Sequence, residues 1–266
     1  MRMLRGLHSA LMLFVLDAGP AVGATQDAGR ANGKTVTVFA AASLRDVFGT
    51  LGTTFEREHP GSKVQFNFAG SQELRAQIEN GAPADVFASG DAKHMDAARK
   101  AGLVDAPKRF ATNAPVIVVP ADNPGKVRSL EDLASVKRLV IGTPEVPIGA
   151  YTFQILDRAK SRYGSDFPSR VQARVVSREL NVRQVLTKVT LGEADAGIVY
   201  RTDARSAGDK VRMVEIPAEL NVLAEYPIAT VTRAPQPALA RDWVALVTGP
   251  AGQATLKAAG FGGVGN

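Results

Sequence analysis

Apolar positions in this chain switch repeatedly between a two-residue and a helical period. Val36, Val38 and Ala40 lie in an apolar run that predicts a buried strand over 35–40. From Leu44 the spacing changes. Leu44, Val47, Phe48, Leu51 and Phe55 share one helical face, which predicts a helix over 44–58 ended by His59-Pro60-Gly61. Val64, Phe66 and Phe68 alternate with Gln65 and Asn67, the pattern of a strand with one wet face. A helix over 72–80 stops at Gly81, a short buried strand covers 84–88, and a helix over 92–101 stops at Gly102. A strand over 116–119 ends at Pro120. A second series follows: a short helix over 130–135, a strand over 139–141, a helix over 149–163, a strand over 171–176, a helix over 182–191 and a strand over 196–200. An extended segment over 227–232 and helices over 237–248 and 249–259 close the chain. Such alternation predicts an α/β protein with mainly parallel sheets and enough elements for two lobes. No internal repeat is visible.

The first residues break this pattern. Arg2 and Arg5 precede a short apolar run from Leu7 to Leu16, and Val22-Gly23-Ala24 supplies small residues suited to cleavage. Together they predict a secretory signal peptide over 1–24, with Asp17 blurring the cut. Later segments are too short or too polar to read as membrane helices. The 266 residues include no cysteine, so disulfides, thiolate metal sites, cysteine nucleophiles and attachment of a lipid through an N-terminal cysteine are excluded. A free, soluble, exported chain is expected. The net charge of +6 is scattered, as in Arg99-Lys100 and Lys137-Arg138, without a basic run. That predicts a solvated basic surface that draws small anions, not a nucleic-acid site.

Enzyme templates find little to hold. Of three histidines, His8 falls in the predicted signal peptide, His59 in a turn, and His94 on a polar helix face that reads as surface. Zinc, phosphate-loop, dinucleotide and nucleophile-elbow motifs are missing. Carboxylates are plentiful, so an exported carboxylate-dependent hydrolase stays open, though no pair stands out. What remains is a set of helix starts at Ser43, Ser71, Pro147-Ile148-Gly149 and Asn181. Each start leaves N–H groups without helical partners and carries positive dipole potential. Several converging on one cleft would bind an anion without a charged side chain, whereas Ser or Asn at a single helix start is usually only a cap.

The segments VFAAASL, FAGSQELRAQIENGAPADVFAS, TPEVPIGAY, NVRQVL and GEADAGIVY, with EYPIATV later, follow one another in order from Val36 onward. In that order they resemble the periplasmic molybdate-binding proteins of ABC importers. The resemblance implies a two-lobed type II periplasmic binding protein, each lobe a mixed, mainly parallel sheet flanked by helices, with the ligand in the interlobe cleft. Lobe one would comprise 34–113 plus 229–266 and lobe two 114–228, with crossings near 111–118 and 224–228. Ser43 and Ser71 match the family's lobe-one serines, Tyr200 its donating phenol, and Val182 and Ile148 its backbone donors. Ile148 stands where the family often has alanine, and Gly70 where a serine is common. Read without the resemblance, Tyr200 is more readily a core residue between lobes, and Arg183 and Arg201, which flank site positions, face solvent or steer anions.

The family's ligand, molybdate or tungstate, is a tetrahedral dianion without a proton near neutral pH, and a donor-only site suits it. The resemblance further implies delivery to a membrane permease, a monomer, no cofactor and no catalysis, and molybdenum held as its oxyanion with no direct side-chain ligation to metal. The same fold tuned to another oxyanion such as sulfate, and an anion sensor, are the other readings.

Overall fold

The computed structural model describes residues 34–264, so the predicted signal peptide lies outside the described residues. In chain order the elements are β1 (Lys34–Ala41), α1 (Arg45–Glu58), β2 (Ser62–Ala69), α2 (Ser71–Glu79), β3 (Val86–Ala88), α3 (Ala92–Lys100), β4 (Lys108–Asn113) and β5 (Pro115–Pro120). There follow β6 (Leu139–Gly142), α4 (Pro147–Tyr163), α5 (Phe167–Gln172), β7 (Val175–Glu179), α6 (Val182–Thr190), β8 (Ala196–Tyr200), α7 (Arg201–Ser206) and β9 (Val211–Val214). The chain ends with β10 (Ala224–Thr230), α8 (Pro237–Thr248) and α9 (Pro250–Ala258).

Two five-stranded sheets carry the two lobes, in the orders β2-β1-β3-β10-β4 and β7-β6-β8-β5-β9. The two orders are the same arrangement used twice. In each, the first three strands are parallel and the next two pairings are antiparallel. The antiparallel insertions, β10 and β5, are the strands that arrive from the other lobe. The chain leaves the first sheet after Asn113 and enters the second at Pro115. It returns ahead of Ala224, and β10 belongs wholly to the first sheet. Asn221 Nδ2 donates to the Pro115 carbonyl at 2.9 Å, which ties the two crossing segments together.

Central strands are apolar throughout because helices cover both faces. β5, β6 and β8 are buried along their whole length. In lobe one, Phe48 and Phe55 of α1 meet Trp243 of α8 edge-on at 5.4 and 5.6 Å between ring centres. Two buried carboxylates hold equivalent corners. Asp85, just before β3, accepts from Thr37 N at 2.7 Å and Gln236 N at 2.6 Å. Asp195, just before β8, accepts from Arg138 N at 3.0 Å and Nη2 at 2.8 Å.

The segment over 171–176 differs from its predicted strand. Helix α5 runs to Gln172 and the strand starts only at Val175. Pro168 in the first turn pre-sets the helix, and Phe167 and Val171, four residues apart, are both buried beneath it. Strands β4 and β9 and helix α7 are short and carry mixed side chains, and none was predicted as an element of its own.

Candidate functional site

A small cavity lies between the lobes. All five residues singled out from the sequence, Ser43, Ser71, Ile148, Val182 and Tyr200, line it, with Ala41, Ala42, Gly90, Val146, Pro147 and Asn181. The lining contains no charged side chain.

Each wall is a strand end followed by a helix start. β1 delivers Ala41-Ala42-Ser43, whose small side chains bring backbone close to the cavity. β2 delivers Gly70-Ser71 at the start of α2. Lobe two supplies the starts of α4 and α6 and the end of β8. At α6, the Asn181 side chain accepts from Arg183 N at 3.0 Å and Gln184 N at 3.1 Å. Among the described residues nothing accepts from Val182 N–H, the next orphan donor of that turn. At α4, Pro147 brings no N–H, so Ile148 supplies the first one. Gly149 is required beside it, because a Cβ there would overlap the Thr143 carbonyl.

The side-chain donors are fixed as strictly. Ser71 Oγ accepts from Gly90 N at 2.9 Å, which leaves its proton for the cavity. Ser43 is hydrogen-bonded to the Tyr226 phenol at 3.0 Å. Tyr200 Oη is buried without any hydrogen-bond partner. Burial, reinforced by Tyr226 and Tyr151 nearby, pushes its ionisation well above the usual phenol value, so it remains a donor. A buried, unpartnered hydroxyl is costly unless a ligand completes it.

Three contacts hold the lobes together around the cavity. Gln72 Nε2 donates to the Leu180 carbonyl at 2.9 Å. His94 Nε2 donates to the Glu145 carbonyl at 2.8 Å. Arg183 Nη2 pairs with Asp46 Oδ2 at 2.6 Å, while its Nε lies 2.8 Å from the fully buried Asp203 Oδ1. These correct two expectations. His94 is buried, not a surface residue, because Asp91 caps its helix and Glu145 covers its ring from the opposite lobe. Arg183 is mostly covered and not a free surface residue, because it pairs with one carboxylate from each lobe. Arg201 is partly exposed and pairs with Glu215, as a flanking surface arginine would.

At Gly70 the backbone of one lobe approaches that of the other, and at Gly90 it approaches the Pro147 ring. A Cβ on Gly90 would sit 3.5 Å from Pro147 Cβ, and one on Gly70 would overlap the Leu180 carbonyl oxygen. The second contact explains a glycine at the position where the resembling proteins commonly have serine. Gly90 and Tyr226 were not picked out from the sequence, since a glycine after a strand and a tyrosine inside one carry no local signal. Among the described residues no group of acidic or histidine side chains is arranged to hold a metal ion, and no helix is long and apolar enough to cross a membrane.

Known proteins share this architecture. Residues 36–262 match the family model described as bacterial extracellular solute-binding protein. The molybdate-binding protein ModA of Mycobacterium tuberculosis is 44% identical over 260 residues, covering 96% of each chain. The structure of the Azotobacter vinelandii periplasmic molybdate-binding protein superposes with a TM-score of 0.74 at 24% identity, over 85% of this chain and 98% of that one. The sulfate-binding protein SubI of Mycobacterium tuberculosis superposes with a TM-score of 0.77 at 20% identity, over 87% of each chain. At those two identities the likeness speaks for the fold, not for the ligand. With its two lobes in the type II arrangement, the chain belongs to the bacterial extracellular solute-binding proteins.

Proposed function

We propose that the interlobe cavity is an oxyanion site, and that the protein captures molybdate, and tungstate with it, in the periplasm for delivery to an ABC permease. The observation that carries this reading is the buried, unpartnered hydroxyl of Tyr200, a residue lining a cavity that contains no charged side chain. The proposed contacts are the hydroxyls of Ser43, Ser71 and Tyr200 and the backbone N–H groups of Ile148 and Val182. The 44% identity to a molybdate-binding protein over nearly the whole chain supports the choice of anion.

The chemistry agrees. Hydrogen bonds to a charged group contribute roughly 1.5–3 kcal/mol each, so five total about 7.5–15 kcal/mol before closure costs. A nanomolar to micromolar dissociation constant, about −12 to −8 kcal/mol, lies within that range. With no carboxylate in the lining, a protonated anion finds no strong acceptor. Sulfate carries no proton but is smaller, so closed lobes would leave some bonds unmade. Molybdate and tungstate, nearly equal in size, are not separated. Closure over the anion is the signal a permease would read.

Thermal unfolding with each of molybdate, tungstate, sulfate and phosphate tests this. A ligand at about 100-fold excess over its dissociation constant stabilises by about 2.7 kcal/mol. The expected order is molybdate and tungstate together, sulfate less, phosphate least. A larger shift with sulfate would instead favour the same fold serving sulfate.

A further inference from the structure

Tyr226 sits in β10 of lobe one, buried behind Ser43 and outside the cavity lining. Its phenol and the Ser43 hydroxyl are 3.0 Å apart. Two hydroxyls sharing one hydrogen bond can be polarised either way, and the neighbours decide which. Tyr226 is fully buried, and among the described residues Ser43 Oγ is the one hydrogen-bond partner of its phenol. A buried hydroxyl proton that is not donated is costly, so Tyr226 donates and Ser43 accepts. The Ser43 proton has to point elsewhere, and Ser43 lines the interlobe cavity.

This rests on the oxyanion reading above. We propose that Tyr226 is a specificity-determining positioning residue: its phenol donates to Ser43 Oγ, holds the Ser43 proton toward the cavity, and denies a protonated oxyanion the acceptor it needs. A serine without this restraint could rotate and accept from a bound hydrogen phosphate. Ser71 is polarised the same way by Gly90 N–H, so both lobe-one serines are held as donors to the cavity.

The test is calorimetric titration of wild type, Tyr226→Phe, Ser43→Ala and the double variant with molybdate, and with inorganic phosphate in competition. Thermal unfolding of each unliganded protein reports whether it folds. Phenylalanine keeps the ring, so packing is preserved. The expected result is a narrowing of the molybdate-over-phosphate preference by at least about tenfold in Tyr226→Phe, and no further change when that substitution is added to Ser43→Ala. An unchanged preference in Tyr226→Phe overturns the proposal. So does an equal effect in both backgrounds, which would mean that Tyr226 acts through packing. A wild-type protein that binds no oxyanion removes the site itself, a distinct outcome that takes this inference with it.

Discussion

Arg183 and Asp46 stand on opposite lobes and meet at 2.6 Å, the one ion pair among the three contacts described across the closed cleft. The pair is half in solvent, with Asp46 more than half exposed, and pairs of this kind contribute at most about 1 kcal/mol. Asp46→Ala should therefore weaken anion affinity by about two- to fivefold, and the loss should shrink in high salt. Stopped-flow release of the anion at low and high ionic strength checks this. A salt-independent effect would assign the loss to something other than the pair.

Behind Arg183, Asp203 is fully buried. Burial pushes its carboxyl up to about 6 from an ordinary 3.8, with Arg183 offsetting part of the shift. The folded state thus holds the Asp203 proton more tightly than the unfolded chain does. The resulting penalty is fully present above pH about 6 and is relieved as pH falls toward about 4, on the order of 3 kcal/mol across the window. Chemical unfolding of wild type and Asp203→Asn over that range should show wild type gaining on the variant as pH falls. A constant difference would contradict the assignment.

Gly70 has ordinary extended backbone, so only space forbids a side chain there. Gly70→Ser should fold normally and unfold at nearly the wild-type temperature without ligand. It should bind molybdate at least about tenfold more weakly, because the new Cβ meets the Leu180 carbonyl only when the lobes are closed. Calorimetry beside thermal unfolding separates the two effects. Wild-type affinity would show that closure does not need this contact.

Asp85 lies outside the cavity lining and should matter only for stability. Asp85→Ala leaves Thr37 N–H and Gln236 N–H without their acceptor, at about 1–3 kcal/mol for each donor left buried. Denaturant titration should show that loss, with molybdate affinity preserved in the protein that remains folded.

Much of the fold was readable from period alone. α1 and α6 show helical spacing of apolar residues, β2 shows alternation, and β5, β6 and β8 are short apolar runs bounded by breakers. The double use of one sheet order was not readable, because a strand's partners depend on residues far away in the chain. β4, β9 and α7 were missed because short mixed segments take their structure from the sheet edge or helix they join. At the site, the helix starts were visible as Ser, Asn and Pro before apolar periods. Their convergence came from resemblance, since no local pattern states which helix starts face each other. Arg183 and His94 read as surface because polar residues on a helix face usually are. Here the opposite lobe covers that face.

The oxyanion site stands or falls on Tyr200, whose hydroxyl is buried without a partner in the protein. Calorimetric titration of wild type and Tyr200→Phe with molybdate is the direct test. A donor-only site predicts tight binding to wild type, a loss of about 1–3 kcal/mol in the variant, and unchanged thermal unfolding of the unliganded protein. Equal affinity in the two proteins, or no binding to either, would contradict it.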